Sequence, residues 1–294
     1  MMRQQRTDLA AEARQIWQEG AGEAAALPGV SARDYRRRGF SVTRVEILDG
    51  AGAEALGKPA GTYITVDLGP YFENRGERFA PAAQALAEEL TPLLPAEGPV
   101  FVAGLGNAAM TPDAVGPAAV GHLLITRHLG DAVPGLRSVA GAAAGVLGTT
   151  GMEAAEWVRG MAERVEPAAV IVVDALAARS TQRLCRAVQI ADTGIVPGSG
   201  VGNARMALTR ETLGVPVVSI GVPTVVDAVT LAADLLPGGA EAVPEALRRQ
   251  GRSLFVTPKD VDEQIRELGK VVGYAVNLAL QRGLTAADVA ALLA

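Results

Sequence analysis

Val100-Phe101-Val102-Ala103 leads into Gly104-Leu105-Gly106-Asn107 and then Thr111-Pro112-Asp113, while Val170-Ile171-Val172-Val173-Asp174 leads into Ala175-Leu176-Ala177-Ala178-Arg179. Short β-branched runs bounded by glycine or proline read as strands buried on both faces. Asp174 stands at the end of one such run, and Asp113 lies just past the other. In an open α/β sheet, ligands bind outside the carboxyl ends of the strands. Two carboxylates converging there could share a proton and activate water. The competing reading is structural, because lone aspartates at strand ends also cap helices and form turns. Asp192, Asp227 and Glu153 are rival carboxylates near the ends of expected elements.

Outward from these runs, the pattern predicts further strands at 41–47, 62–67, 187–191 and 215–220. Residues 41–47 and 62–67 alternate as half-buried strands do, with a Gly/Pro turn at 57–61 between them. Helices are expected at 9–19, 79–94, 112–129, 152–164, 224–235 and 258–282, the last opened by Thr257-Pro258. Helices interleaved with buried strands predict an α/β fold with a mostly parallel sheet covered on both faces. A small N-terminal β-rich appendage is expected at about 31–75.

The chain has 294 residues, 49% of them hydrophobic, with 27 basic and 32 acidic side chains. A net charge of −5 without basic clustering argues against a nucleic-acid backbone as partner. One cysteine, Cys185, allows no intrachain disulfide, which fits a reducing compartment. Met1 to Glu12 is polar and lacks a signal peptide's apolar core, and no apolar run suits a bilayer. A soluble cytoplasmic protein is expected.

Other chemistries find weaker support. Gly104 and Gly106 begin a phosphate-loop pattern, but position 109 is alanine and no P-loop lysine follows. A tight strand-to-helix turn explains them as well. Gly198-Ser199-Gly200-Val201-Gly202-Asn203 reads as a loop lining a cleft. His122 and His128, the two histidines, are six residues apart and fall on different faces of the expected helix, so no metal site is expected. Cys185 reads as a buried thiol, and no Gly-x-Ser-x-Gly elbow is present.

Longer words are more specific. RTDLA at 6–10, GLGN and TPDAVGP at 104–117, LLITRHL at 123–129 and VVDALAAR at 172–179 resemble the germination proteases of spore-forming bacteria. So do IADTGIVPGSGVGN at 190–203, ETLGVPVVSIGVPTVVDAVT at 211–230 and VTPKDVD at 256–262, all in the family's order. The resemblance implies an atypical aspartic endopeptidase that starts the breakdown of small acid-soluble spore proteins during germination. It implies a homotetramer in the forespore and spore core, made as a self-processing zymogen. It also implies a fold similar to hydrogenase maturation peptidases, which use a metal.

Carried onto this chain, the resemblance makes Asp113 and Asp174 the catalytic pair. Asp8 and Leu9 flank the self-processing bond, so residues 1–8 form a propeptide and 9–294 the peptidase domain. Gly104, Gly106, Asn107, Thr111 and Arg179 are candidates for lining the cleft. No cofactor, nucleic acid or membrane is expected as partner. The departures are a very short propeptide and a Pro/Gly/Ala-rich link between Asp234 and Phe255 in place of a long insertion. Two alternatives remain open: a metal-dependent peptidase using Asp113, Asp174 and His122, or a non-catalytic binder of spore proteins or a nucleotide.

Overall fold

The computed structural model describes residues 7–21, 27–202 and 205–294. Residues 1–6 of the expected propeptide and Asn203 of the glycine-rich loop therefore lie outside the described residues. The strands are β1 (Val30–Arg37), β2 (Phe40–Ile47), β3 (Gly61–Asp67), β4 (Val100–Leu105), β5 (Val139–Gly145), β6 (Ala169–Ala177), β7 (Ala187–Ala191), β8 (Val217–Asp227) and β9 (Phe255–Val256). They form one sheet in the order β1-β2-β3-β7-β8-β6-β4-β5, with β9 added to the end of β8.

The fold is α/β. Strands β8, β6, β4 and β5 pair in parallel, and this half carries the two aspartate-bearing runs. The N-terminal β-rich part is antiparallel and joins the same sheet where β3 pairs with β7. β7 in turn runs antiparallel to β8. Hydrogen-bonded continuity thus links the N-terminal strands to the strands of the site.

Both faces are covered. On one, Ile171 and Val173 of β6 join Val102, Ile190 and Ile220 under helices Arg75–Leu90, Val115–Val120 and Val261–Leu280. On the other, Val170 and Val172 pack with Phe101 and Ala103 beneath helix Ala154–Val165. Helix Ala10–Ala21 covers Val45, Tyr63 and Ala191 on that same side. Side chains alternate along a strand, so Asp174 belongs to the second face. The register sets Asp174 opposite Gly221, Gly221 opposite Gln189, and Gln189 opposite Thr65.

Several elements depart from the sequence pattern. The expected helix at 112–129 is broken into a single turn, Thr111–Asp113, and helix Val115–Val120. Buried Asn277 accounts for the break: its side chain accepts from Leu124 N–H (2.9 Å) and donates to the His122 carbonyl (2.8 Å). The chain then turns so that Thr126 N–H reaches the Val139 carbonyl, 3.0 Å away. β8 runs on to Asp227, where a helix was expected from 224, and Asp227 caps helix Ala228–Leu235 through Val229 and Thr230 N–H.

β1, β5 and helix Ala286–Leu293 carry no clear pattern of their own. The link after Asp234 is helical in part, with turns at Gly239–Ala242 and Glu245–Gln250 and Val243 buried on Val229 and Ala233. Among the described residues no helix is long and apolar enough to cross a membrane.

Candidate active site

Asp113 is held by the turn that follows β4. Gly106 adopts φ 101°, a conformation that side chains avoid. The chain then reverses so that Asn107 N–H donates to Asp113 Oδ2 at 2.8 Å. Burial raises the Asp113 pKa, and this backbone donor opposes the rise. Asp174 lies inside β6, three residues before its end, so the strand is longer than its β-branched run. It is 5% exposed and accepts one backbone bond, from Ala175 N–H at 2.9 Å. Burial holds its pKa well above the ordinary carboxylate value, and the negative charges of Asp113 and Asp8 push it further the same way.

Both aspartates line one cleft of about 480 Å³. Its walls are largely apolar, with Met110, Val146, Leu147, Ile195 and Phe255 among them. Glu153 and Arg205 pair at 2.9 Å on its border. Thr224 lines it with a buried hydroxyl that has no hydrogen-bond partner among the described residues.

Asp8 reaches the same cleft from the N-terminal segment. Its N–H donates to the Ala177 carbonyl (2.9 Å), and its carboxylate accepts from Ala177 N–H (2.9 Å) and Ser199 Oγ (3.0 Å). Gly200 leaves room for that carboxylate, since a Cβ there would stand 2.0 Å from Oδ2. Leu9 is fully buried among Leu176, Ala178, Leu184 and Val226. Glu12, one turn on and 1% exposed, accepts from Arg179 N–H (2.7 Å) and Ser180 N–H (3.1 Å).

Of the expected lining residues, Gly106 borders the cleft and four others do different work. Gly104 packs against helix Val115–Val120, where a Cβ would come 2.4 Å from the Gly116 carbonyl. Asn107 contributes its N–H to Asp113, and its side chain accepts from Ala109 N–H. Thr111 opens the turn that carries Asp113. Arg179 points away to Glu19 (2.8 Å) and Asp234 (3.8 Å), because its N–H is taken up by Glu12 at the end of β6.

The rival carboxylates have structural partners: Asp192 accepts from Thr62 N–H at 2.7 Å and Asp227 is a helix cap. His122 is half-buried beside Tyr274, and His128 is exposed. Burial pushes the Cys185 thiol up to about 12. Among the described residues no three His, Cys, Asp or Glu side chains are grouped to hold a metal. The donor set therefore does not fit a metal held by three such ligands.

The glycine-rich tract read as a loop lining a cleft does so through Gly198, Ser199 and Gly200, whereas sequence reasoning missed Thr224, Glu12 and Gln189. Gln189 could have been flagged, as the polar member of the otherwise apolar run Ala187–Ala191.

An α/β sheet that brings a buried carboxylate on a strand and a half-buried one on the following turn of its neighbour to one apolar cleft defines a hydrolase type of site. Residues 8–237 match the family model described as germination protease. A germination protease of Caldanaerobacter subterraneus subsp. tengcongensis is 41% identical, over 98% of this chain and 98% of its own length. One from Clostridium tetani is 38% identical over 97% of this chain and 98% of its own. Among solved structures, a [NiFe] hydrogenase maturation protease HycI from Thermococcus kodakarensis KOD1 superposes with a TM-score of 0.37 and 17% identity. It covers 64% of this chain and 98% of its own, and at that score it carries no argument. The chain belongs to the germination protease family, and it is a peptidase.

Proposed function

We propose that this chain is the endopeptidase that begins degradation of small acid-soluble spore proteins during germination, with Asp113 and Asp174 as a water-activating pair. The observation that carries the reading is the unequal burial of two carboxylates on one cleft. Asp174 is the more buried, and the charge of Asp113 raises its pKa further. Each carboxylate accepts one backbone N–H, so the difference in burial sets their order.

Asp174 therefore holds a proton and Asp113 stays ionised. Asp113 takes a proton from water as its oxygen attacks the scissile carbonyl. Asp174 donates to the carbonyl oxygen or to the departing amine. Activity falls at low pH as Asp113 is protonated and at high pH as Asp174 loses its proton.

The chain is made as a zymogen and cuts itself between Asp8 and Leu9. What supports this is the presence of Asp8 in the same cleft as the pair and the RTDLA word at 6–10. The enzyme works in the forespore and spore core as a homotetramer.

The test is digestion of a small acid-soluble spore protein by wild-type, Asp113→Asn and Asp174→Asn enzymes. Each variant is expected to stay folded and to lose proteolysis. Near-normal turnover by either one removes the paired-carboxylate mechanism. Mass analysis of the N-terminus checks processing: fully active enzyme with an intact Met1 rules out the cut at Leu9.

A further inference from the structure

β5 is the last strand of the sheet, and its outer edge pairs with no other strand among the described residues. Val100 N–H donates to the Ser138 carbonyl at 2.9 Å, which sets the phase of the ladder. In a parallel pair, alternate residues of a strand turn both backbone groups to the neighbour. Ala140 and Ala142 therefore face β4, while Val139, Gly141 and Ala143 face outwards. The outward groups of Val139 are taken up by one residue: its N–H donates to Thr126 Oγ1 (2.9 Å), and its carbonyl accepts from Thr126 N–H (3.0 Å). Those of Gly141 and Ala143 have no hydrogen-bond partner among the described residues.

The opposite edge of the sheet is β1, which carries Arg33, Asp34, Arg36 and Arg37. Charged side chains on an edge strand discourage pairing with another chain. β5 reads Val-Ala-Gly-Ala-Ala-Ala-Gly, without charge or proline, and Ala143 is its exposed member.

This free edge leads to the site. Gly145, Val146 and Leu147, at the end of β5 and just past it, line the cleft with Asp113 and Asp174. Gly104 stands opposite Val173 and Leu105 opposite Gly145, so Asp174 is level with the end of β5. A chain lying along the edge is three strand spacings from Asp174, roughly 14 Å. About four extended residues cover that distance.

We propose that the edge of β5 at Gly141 and Ala143 is a subsite for the main chain of the protein substrate, which adds to the sheet as a strand about four residues from the bond that is cut. The inference rests on the endopeptidase reading above. The free N–H and C=O groups of these two residues recognise an extended backbone, so this subsite selects an extended chain whatever its side chains. A ladder of two residues with no apolar side chain to bury is too small to hold two copies of this chain together. It suits a substrate that is released after each cut.

The test uses full-length wild type, Ala143→Pro and Ala143→Ser. Each digests a small acid-soluble spore protein and, separately, a peptide of it with about three residues on each side of a cut mapped by mass, too short to reach the edge. Proline at 143 removes an outward N–H that the fold does not use, and an edge strand accommodates it. The ratio of kcat/KM, spore protein over short peptide, should fall about tenfold in Ala143→Pro through a higher KM for the spore protein, the worth of one lost hydrogen bond. Ala143→Ser keeps the N–H and should keep the ratio.

An unchanged ratio in Ala143→Pro overturns the proposal. If that ratio comes with a smaller particle in sedimentation, the edge joins copies of this chain instead. Should Ala143→Pro melt early, wild-type enzyme decides, with longer peptides N-methylated singly at about four to seven residues from the cut on either side. Their KM should rise about tenfold at alternate positions, and a KM unchanged at every position overturns the subsite. Failure of wild type to cut the spore protein at all would instead bring down the endopeptidase reading, a separate result.

Discussion

Gly106 lies so close to Asp113 that a Cβ on it would stand 2.0 Å from the Asp113 carbonyl oxygen and 3.0 Å from Oδ1. The same glycine has φ 101°. A Gly106→Ala variant therefore suffers twice: its backbone is strained, and the turn that aims Asp113 must open. The backbone strain alone costs about 1–3 kcal/mol. Turnover should fall more than stability, because the carboxylate is displaced from the cleft. Urea unfolding and a spore-protein digest check this, and wild-type values in both would refute the contact.

Asp174 carries a stability prediction of opposite sign to its catalytic one. Its folded pKa is raised, so the folded state binds the proton more tightly than the unfolded chain does. The stability this contributes is fully present below the unfolded pKa and is lost as pH rises towards the folded value. Asp174→Asn removes that loss and can still accept from Ala175 N–H. The variant should melt above wild type at neutral pH, and the difference should vanish near pH ~3. A melting series across pH reads it directly, and a variant less stable than wild type at pH 7 contradicts it.

Glu12 ties the N-terminal helix to the chain leaving β6. Its carboxylate accepts from two backbone N–H groups, those of Arg179 and Ser180, and lies 3.6 Å from the Arg183 guanidinium. Glu12→Ala leaves both donors without their acceptor, at about 1–3 kcal/mol each. A loss of roughly 2–6 kcal/mol is expected from denaturant unfolding. A change below about 0.5 kcal/mol would mean that water replaces the carboxylate fully.

Metal removal should leave the enzyme working. The described residues group no three metal-ligating side chains, and His122 stands beside Tyr274 and Lys270. Dialysis against a strong chelator is expected to preserve proteolysis. A one-to-one content of zinc or nickel, lost with activity and restored with it, would replace the aspartate pair by a metal mechanism.

The two runs that end near Asp113 and Asp174 were legible because their apolar residues are contiguous and both their faces are buried. β5 was not legible. Its sequence, Val-Ala-Gly-Ala-Ala-Ala-Gly, has little strand signal of its own and is extended because β4 supplies its hydrogen-bond partners. β1 is rich in arginine and owes its extended form to pairing with β2. The helix expected through 112–129 failed because Asn277, more than 150 residues away, takes up backbone groups that a helix would have used.

From its order of residues alone, this chain determined an α/β core, the two aspartates as candidates, and the words that mark its family. Those are local properties: burial pattern, β-branching and contiguous motifs are written in neighbouring positions. The meeting of Asp8 with Asp113 and Asp174, the ranking of the two carboxylates by burial, and the grip of Lys58 and Gln189 on the Asp8 carbonyl were decided by tertiary structure. They depend on the strand order β7-β8-β6-β4 and on how deeply each group is buried. Both arise only when segments far apart in the chain exclude water from one another.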